Sequence, residues 1–143
     1  MTNIFIVFVL LLGLPAGKQT LTNNEYVSIK LISPHHFSDM DSGTLAFFFS
    51  PAEGIHVNSI PPFEIQLEND SPFEIIGKPK FQKDDKAYLE TIKPVEFLVK
   101  VKQGIQTGKY LLKGNLNYFF CSDKEGWCNR FTQPIEVNIE ISK

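Results

Sequence analysis

Two runs of strict alternation near the end of the chain restrict its fold more than any other feature. Tyr110, Leu112, Gly114, Leu116, Tyr118 and Phe120 fall on one face of the first run, and Lys113, Asn115 and Asn117 on the other. In the second, Ile135, Val137, Ile139 and Ile141 alternate with Glu136, Asn138 and Glu140. A period of two gives an extended segment one apolar and one polar face, so both runs read as half-buried strands, most simply joined as a hairpin. The segment between them holds the only two cysteines and the only tryptophan, in the order Cys121, Trp127, Cys128. Both thiols are therefore expected in the hairpin loop. Cys121 is in step with Lys113, Asn115 and Asn117, so it is expected to point away from the core and stand exposed. Structural cysteines are usually buried, and an outward pair admits two readings. One is a staple, worth about 2.5 kcal/mol in the chain-entropy model; the other is an accessible redox couple.

The remaining chain repeats the strand pattern. Tyr26 to Ile32, Thr44 to Ser50, Phe63 to Leu67 and Val95 to Val101 alternate, and Phe73 to Ile76 and Tyr88 to Ile92 are shorter candidates. Phe47-Phe48-Phe49 cannot all share one face, so Phe48 needs separate cover or lies outside. Turn chemistry separates the runs at Ser33-Pro34, Pro51-Ala52-Glu53-Gly54, Asn69-Asp70-Ser71-Pro72 and Lys83-Asp84-Asp85-Lys86. Helical periodicity is absent after the first residues. The expectation is an all-β fold, an immunoglobulin-like antiparallel β-sandwich of about seven to eight strands. Both cysteines lie on one hairpin, which rules out the inter-sheet bridge of antibody domains.

Of the 143 residues, 1–17 read as a signal peptide and 18–143 as a single domain. Ile4 to Leu12 is an unbroken apolar run followed by small residues at Leu14-Pro15-Ala16-Gly17, too short to span a bilayer comfortably. Export would place the thiols in an oxidising compartment, periplasmic or secreted, with no membrane span in the mature chain. The net charge of −2, with both signs interspersed and no basic run, argues against nucleic acid as a partner. A C-x6-C pair lacks the short spacing of zinc knuckles, even with His56 nearby. His35 and His36, beside Asp39 and Asp41, read as solvated loop residues, so no metal site is expected. The motifs of phosphate-binding loops and hydrolases are missing. At the cysteines, Lys124 and Arg130 would lower a thiol pKa, and Asp123 and Glu125 would raise it. Phe119 and Trp127 could shield the bridge or pack across the hairpin.

With these residues in view, the chain resembles the N-terminal periplasmic domain of the thiol:disulfide interchange protein DsbD. Tyr118, Cys121, Asp123, Gly126, Trp127 and Cys128 follow the order of that family's motif. Ala52 to Asn58, followed by Pro61-Pro62, is similar to its early segment of a small residue, glycine, an aromatic, histidine and asparagine. The resemblance runs from about Val27 to Ser142. It implies an immunoglobulin-like sandwich and a redox module whose catalytic pair is Cys121 and Cys128, with no dissociable cofactor. Implied partners are a thioredoxin-like reductant and oxidised envelope proteins. Asp123 and Trp127 would be neighbours of the pair. This chain carries six residues between its cysteines, one more than the family's best-known member, and Asn129-Arg130 replaces the usual continuation. It also lacks the family's membrane conduit and thioredoxin-like domain, so its reductant would be another protein. The expected function is exported thiol–disulfide exchange; the alternative is a non-enzymatic β-sandwich binding module whose disulfide is structural.

Overall fold

Alternation becomes two packed sheets. The computed structural model describes residues 18–20 as a strand, and residues 24–38 and 41–143 in full. The expected signal peptide lies outside the described residues. Among them are ten strands: β1 (Lys18–Thr20), β2 (Val27–Ile32), β3 (His36–Ser38), β4 (Ser42–Pro51), β5 (Ile55–Asn58), β6 (Glu64–Leu67), β7 (Phe73–Lys80), β8 (Val95–Val101), β9 (Gly108–Ser122) and β10 (Trp127–Ser142). One sheet has the order β1-β2-β4-β8-β7. The other has β3-β10-β9-β5, with β6 also on β9.

The protein is thus the all-β sandwich its sequence announces, with more strands than the expected seven or eight. The additions β1, β3 and β5 are three or four residues long, too short for alternation to register. β3 pairs with β10 in parallel, so the second sheet is mixed rather than purely antiparallel. Tyr88 to Ile92 is not a strand. It is a turn touching its neighbours through the isolated bridges Asn58–Tyr88 and Lys83–Leu89.

The inward residues are those the alternation selects. Val27, Ile29 and Leu31 of β2, Leu45, Phe47 and Phe49 of β4, and Val95, Phe97 and Val99 of β8 meet Leu112, Leu116, Tyr118, Ile135 and Ile139 from the opposite sheet. Phe49 of β4 packs edge-on against Tyr118 of β9, ring centroids 5.1 Å apart, and joins the layers. Phe48, between two inward phenylalanines, is half-buried on the outside. Beside Tyr118, Asn24 makes a second tie. Its Oδ1 accepts the backbone N–H groups of Tyr26 and Val27, at 2.8 and 2.7 Å. Its Nδ2 donates to the Tyr118 hydroxyl at 2.8 Å. The entry to β2 is thereby fixed to the later part of β9.

β9 is the axis of the second sheet. On one side it pairs with β10 along its whole length, Gly108 opposite Ile141 and Ser122 opposite Trp127. On the other, β6 covers Gly114 to Asn117 and β5 covers Phe119 to Ser122. β10 begins at Trp127, well before its apolar alternation, which starts only at Ile135. The polar stretch from Asn129 to Gln133 pairs with β9 all the same, because the ladder is made by backbone groups. Pro134 is tolerated there because β3 flanks β10 only at Glu140 to Ser142.

Candidate functional site

Because β10 starts at Trp127, both cysteines lie in the ladder rather than in the loop. Cys121 and Cys128 are direct cross-strand partners. Their Cα atoms are 4.0 Å apart and their sulfurs are joined. The turn shrinks to the residues between Ser122 and Trp127. Gly126, with φ +73°, closes it by donating its N–H to the Ser122 carbonyl at 2.9 Å. The Ser122 hydroxyl accepts the Glu125 N–H at 3.2 Å.

Parity places Cys121 on the outer face, as the sequence indicates, and it is not part of the core between the sheets. It is nevertheless not exposed. Only 7% of Cys121 is accessible, whereas Cys128 is exposed. The cover comes from β5, whose residues His56 and Asn58 stand on the same outer face. His56 is directly opposite Cys121. The Asn58 side chain donates from Nδ2 to Cys121 Sγ at 3.1 Å.

A turn from a separate part of the chain completes the cover. Asp84 Oδ1 accepts the backbone N–H groups of Lys86 and Tyr88, each at 2.9 Å. Ala87 takes a left-handed conformation, φ 63°, and its carbonyl accepts both the N–H and the hydroxyl of Ser59, at 3.0 and 2.7 Å. The Leu89 N–H donates to the Val57 carbonyl at 2.8 Å. The turn is therefore sewn to β5, which lays Tyr88 flat on His56, ring centroids 4.4 Å apart and planes 7° from parallel. The Tyr88 hydroxyl donates to Asp123 Oδ1 at 3.1 Å. His56 Nε2 lies 2.9 Å from Asp123 Oδ2. The hydrogen bond to Asp123, with burial and the charges of Asp123 and Asp84, raises the Tyr88 phenol above its ordinary pKa.

The other residues singled out in sequence are placed differently. Trp127 does not shield the disulfide, because it faces inward with Phe120. It packs edge-on against Tyr26 and Phe120, centroids 5.0 and 5.8 Å away, and its indole N–H donates to Glu125 Oε2 at 2.7 Å. Phe119 shares the outer face with Cys121, next to Asn58 along the register. Lys124 and Arg130 are exposed. Asp123 is committed to His56 and Tyr88. Tyr88 entered the sequence reading only as the start of a short strand candidate, not as a site residue. Asn58 carried a signal, its two-residue spacing from His56, which puts both on one face of any strand.

Among the described residues, no group of three or more His, Cys, Asp or Glu is gathered as a metal site would need. Nor, among them, is any helix long and apolar enough to cross a membrane. Among the described residues, two buried side-chain oxygens lack a hydrogen-bond partner, Asn58 Oδ1 and Gln133 Oε1. The first belongs to the side chain that contacts the disulfide.

No family model matches the sequence. No curated protein matches it either. Among solved structures, the N-terminal periplasmic domain of ScsB from Proteus mirabilis aligns over 87% of this chain and 50% of its own, at 16% identity and a TM-score of 0.48. The chain thus spans half the length of that structure. The GAE domain of yeast GGA1 aligns over 83% of this chain and 99% of its own, at 14% identity and a TM-score of 0.41. Likenesses at this level carry neither a family nor an activity to this chain.

Proposed function

We propose that this protein is an exported thiol–disulfide exchange module, periplasmic or secreted, whose redox couple is Cys121 and Cys128. The observation that carries the reading is the unequal burial of the joined cysteines: Cys128 exposed, Cys121 only 7% accessible. Exchange requires a thiolate to reach one sulfur and expel the other, and a bridge of this kind offers one side for attack and a sheltered one to leave. The resemblance of the Tyr118-to-Cys128 segment to the redox motif of the DsbD N-terminal domain supports the same assignment. A disulfide also persists most readily in an oxidising compartment, which supports export.

The reaction balances without a cofactor. A thiolate of a dithiol partner, such as a thioredoxin-like reductant, attacks Cys128 Sγ and forms a mixed disulfide. The Cys121–Cys128 bond breaks and its electron pair leaves on Cys121 as thiolate, which takes up a proton. The partner's second thiolate then attacks the partner sulfur of the mixed disulfide and releases Cys128. Two electrons and two protons pass to this protein, and the partner becomes a disulfide. Meeting an oxidised envelope protein, the reduced pair runs the same steps in reverse.

The test is redox equilibration of residues 18–143 in dithiothreitol and glutathione buffers, with thiol trapping. Exchange chemistry requires a midpoint above about −300 mV and a domain still folded when reduced. A midpoint well below that value, or unfolding on reduction, would leave a structural bridge on a binding domain.

A further inference from the structure

Resting on that reading, we propose that Asn58 is a catalytic residue of the exchange: its side-chain N–H stabilises the thiolate that develops on Cys121 as Cys128 is attacked. The amide already points at the leaving sulfur, Nδ2 to Sγ 3.1 Å. A disulfide sulfur is a weak acceptor. A thiolate is an anion, and a hydrogen bond to it is charge-assisted and about twice as strong. The contact therefore strengthens as the bond breaks, which is the condition for an interaction to lower a barrier rather than merely bind the ground state.

Three features of the site make this donor matter. Cys121 is only 7% accessible, so the residue that acquires the charge has little water around it, and a fixed donor can take water's place. His56, directly opposite Cys121, has its Nε2 engaged by Asp123 and its ring stacked on Tyr88. Among the described residues, the Asn58 amide is the side-chain donor within hydrogen-bond distance of the sulfur. Its Oδ1 is buried without a partner, so no hydrogen bond within the protein holds the amide by its oxygen. Turning the amide over would aim that oxygen at the sulfur's lone pairs, a repulsive contact. The orientation with N–H on sulfur is the one the site favours.

The experiment compares wild type with Asn58→Ala, which removes the donor, and Asn58→Asp, which keeps the shape and replaces the donor with a negative charge. One readout is the rate of disulfide reduction by dithiothreitol. The other, in a Cys128→Ser background, is the pH profile of Cys121 alkylation; His56, Tyr88, Asp123 and Arg130 are the charged and titratable groups around it, and the neutral Asn58→Ala adds no charge to them. Loss of a charge-assisted hydrogen bond is expected to slow reduction about tenfold in Asn58→Ala. Asn58→Asp should be slower still, and both alkylation profiles should move to higher pH. Circular dichroism identifies a variant that fails to fold, and the other substitution then decides. Rates within twofold of wild type with an unmoved alkylation profile overturn the role of Asn58 and leave exchange standing. A wild-type midpoint well below about −300 mV overturns the exchange reading itself, and the role of Asn58 with it.

Discussion

Tyr118→Phe tests the tie between the sheets beneath the disulfide, and its effect should reverse with pH. At neutral pH the substitution removes the hydroxyl that accepts Asn24 Nδ2 at 2.8 Å, a net loss of about 1 kcal/mol. Burial raises the Tyr118 phenol well above its ordinary pKa, an effect the hydrogen bond from Asn24 opposes only in part. A tyrosine in the unfolded chain ionises near pH 10, roughly its reference value, while the folded one keeps its proton. The unfolded state therefore releases a proton first, and the stability contributed by the neutral phenol is present below that pH and lost above it. Each further pH unit removes about 1.4 kcal/mol from wild type relative to the variant, until the folded phenol also ionises. The two stability curves should cross at about pH 10.6, where the alkaline loss equals the lost hydrogen bond. Urea unfolding of both proteins between neutral pH and pH 11.5, followed by Trp127 fluorescence, measures this directly. Tyr26, Tyr88 and Tyr110 are common to both proteins and cancel in the difference. A stability difference that stays constant with pH would refute the buried, neutral phenol.

Three other substitutions probe the frame of the site. Gly114→Ala places a Cβ against the Gln66 carbonyl and 3.0 Å from Leu67 Cα, so it should destabilise by about 1–3 kcal/mol, with amide-exchange protection lost first in β6. Asp123→Asn removes the carboxylate that holds up the Tyr88 phenol, so the alkaline midpoint of Tyr88, followed by NMR, should fall; an unchanged midpoint contradicts the contact. Because His56 and Asp123 are 38% and 55% exposed, the same variant should change stability by less than about 1 kcal/mol. Ala87→Gly relieves the left-handed backbone at φ 63° and should raise stability by about 0.5–1 kcal/mol once the extra chain entropy of glycine is subtracted.

The sequence by itself determined the class of fold and the facing of its long strands, because a period of two survives any arrangement of the sheets. Leu112, Leu116 and Tyr118 went inward, Lys113 and Asn115 outward, and Cys121 onto the outer face, all from spacing alone. The pairing of the two cysteines was also within reach, since a hairpin brings neighbouring segments together whatever the rest of the chain does. Tertiary structure decided what covers each face. Cys121 meets Asn58, 63 residues earlier in the chain, and Asp123 meets Tyr88, 35 residues earlier. Neither contact leaves a periodic trace, because each depends on which strand lies beside β9 and on how the Asp84 turn is sewn to it. Facing follows from the geometry of one strand; burial of an outward residue follows from its lateral neighbours. The burial of Cys121 and the exposure of Cys128 belong to that second kind, and the chemistry proposed for the site rests on them.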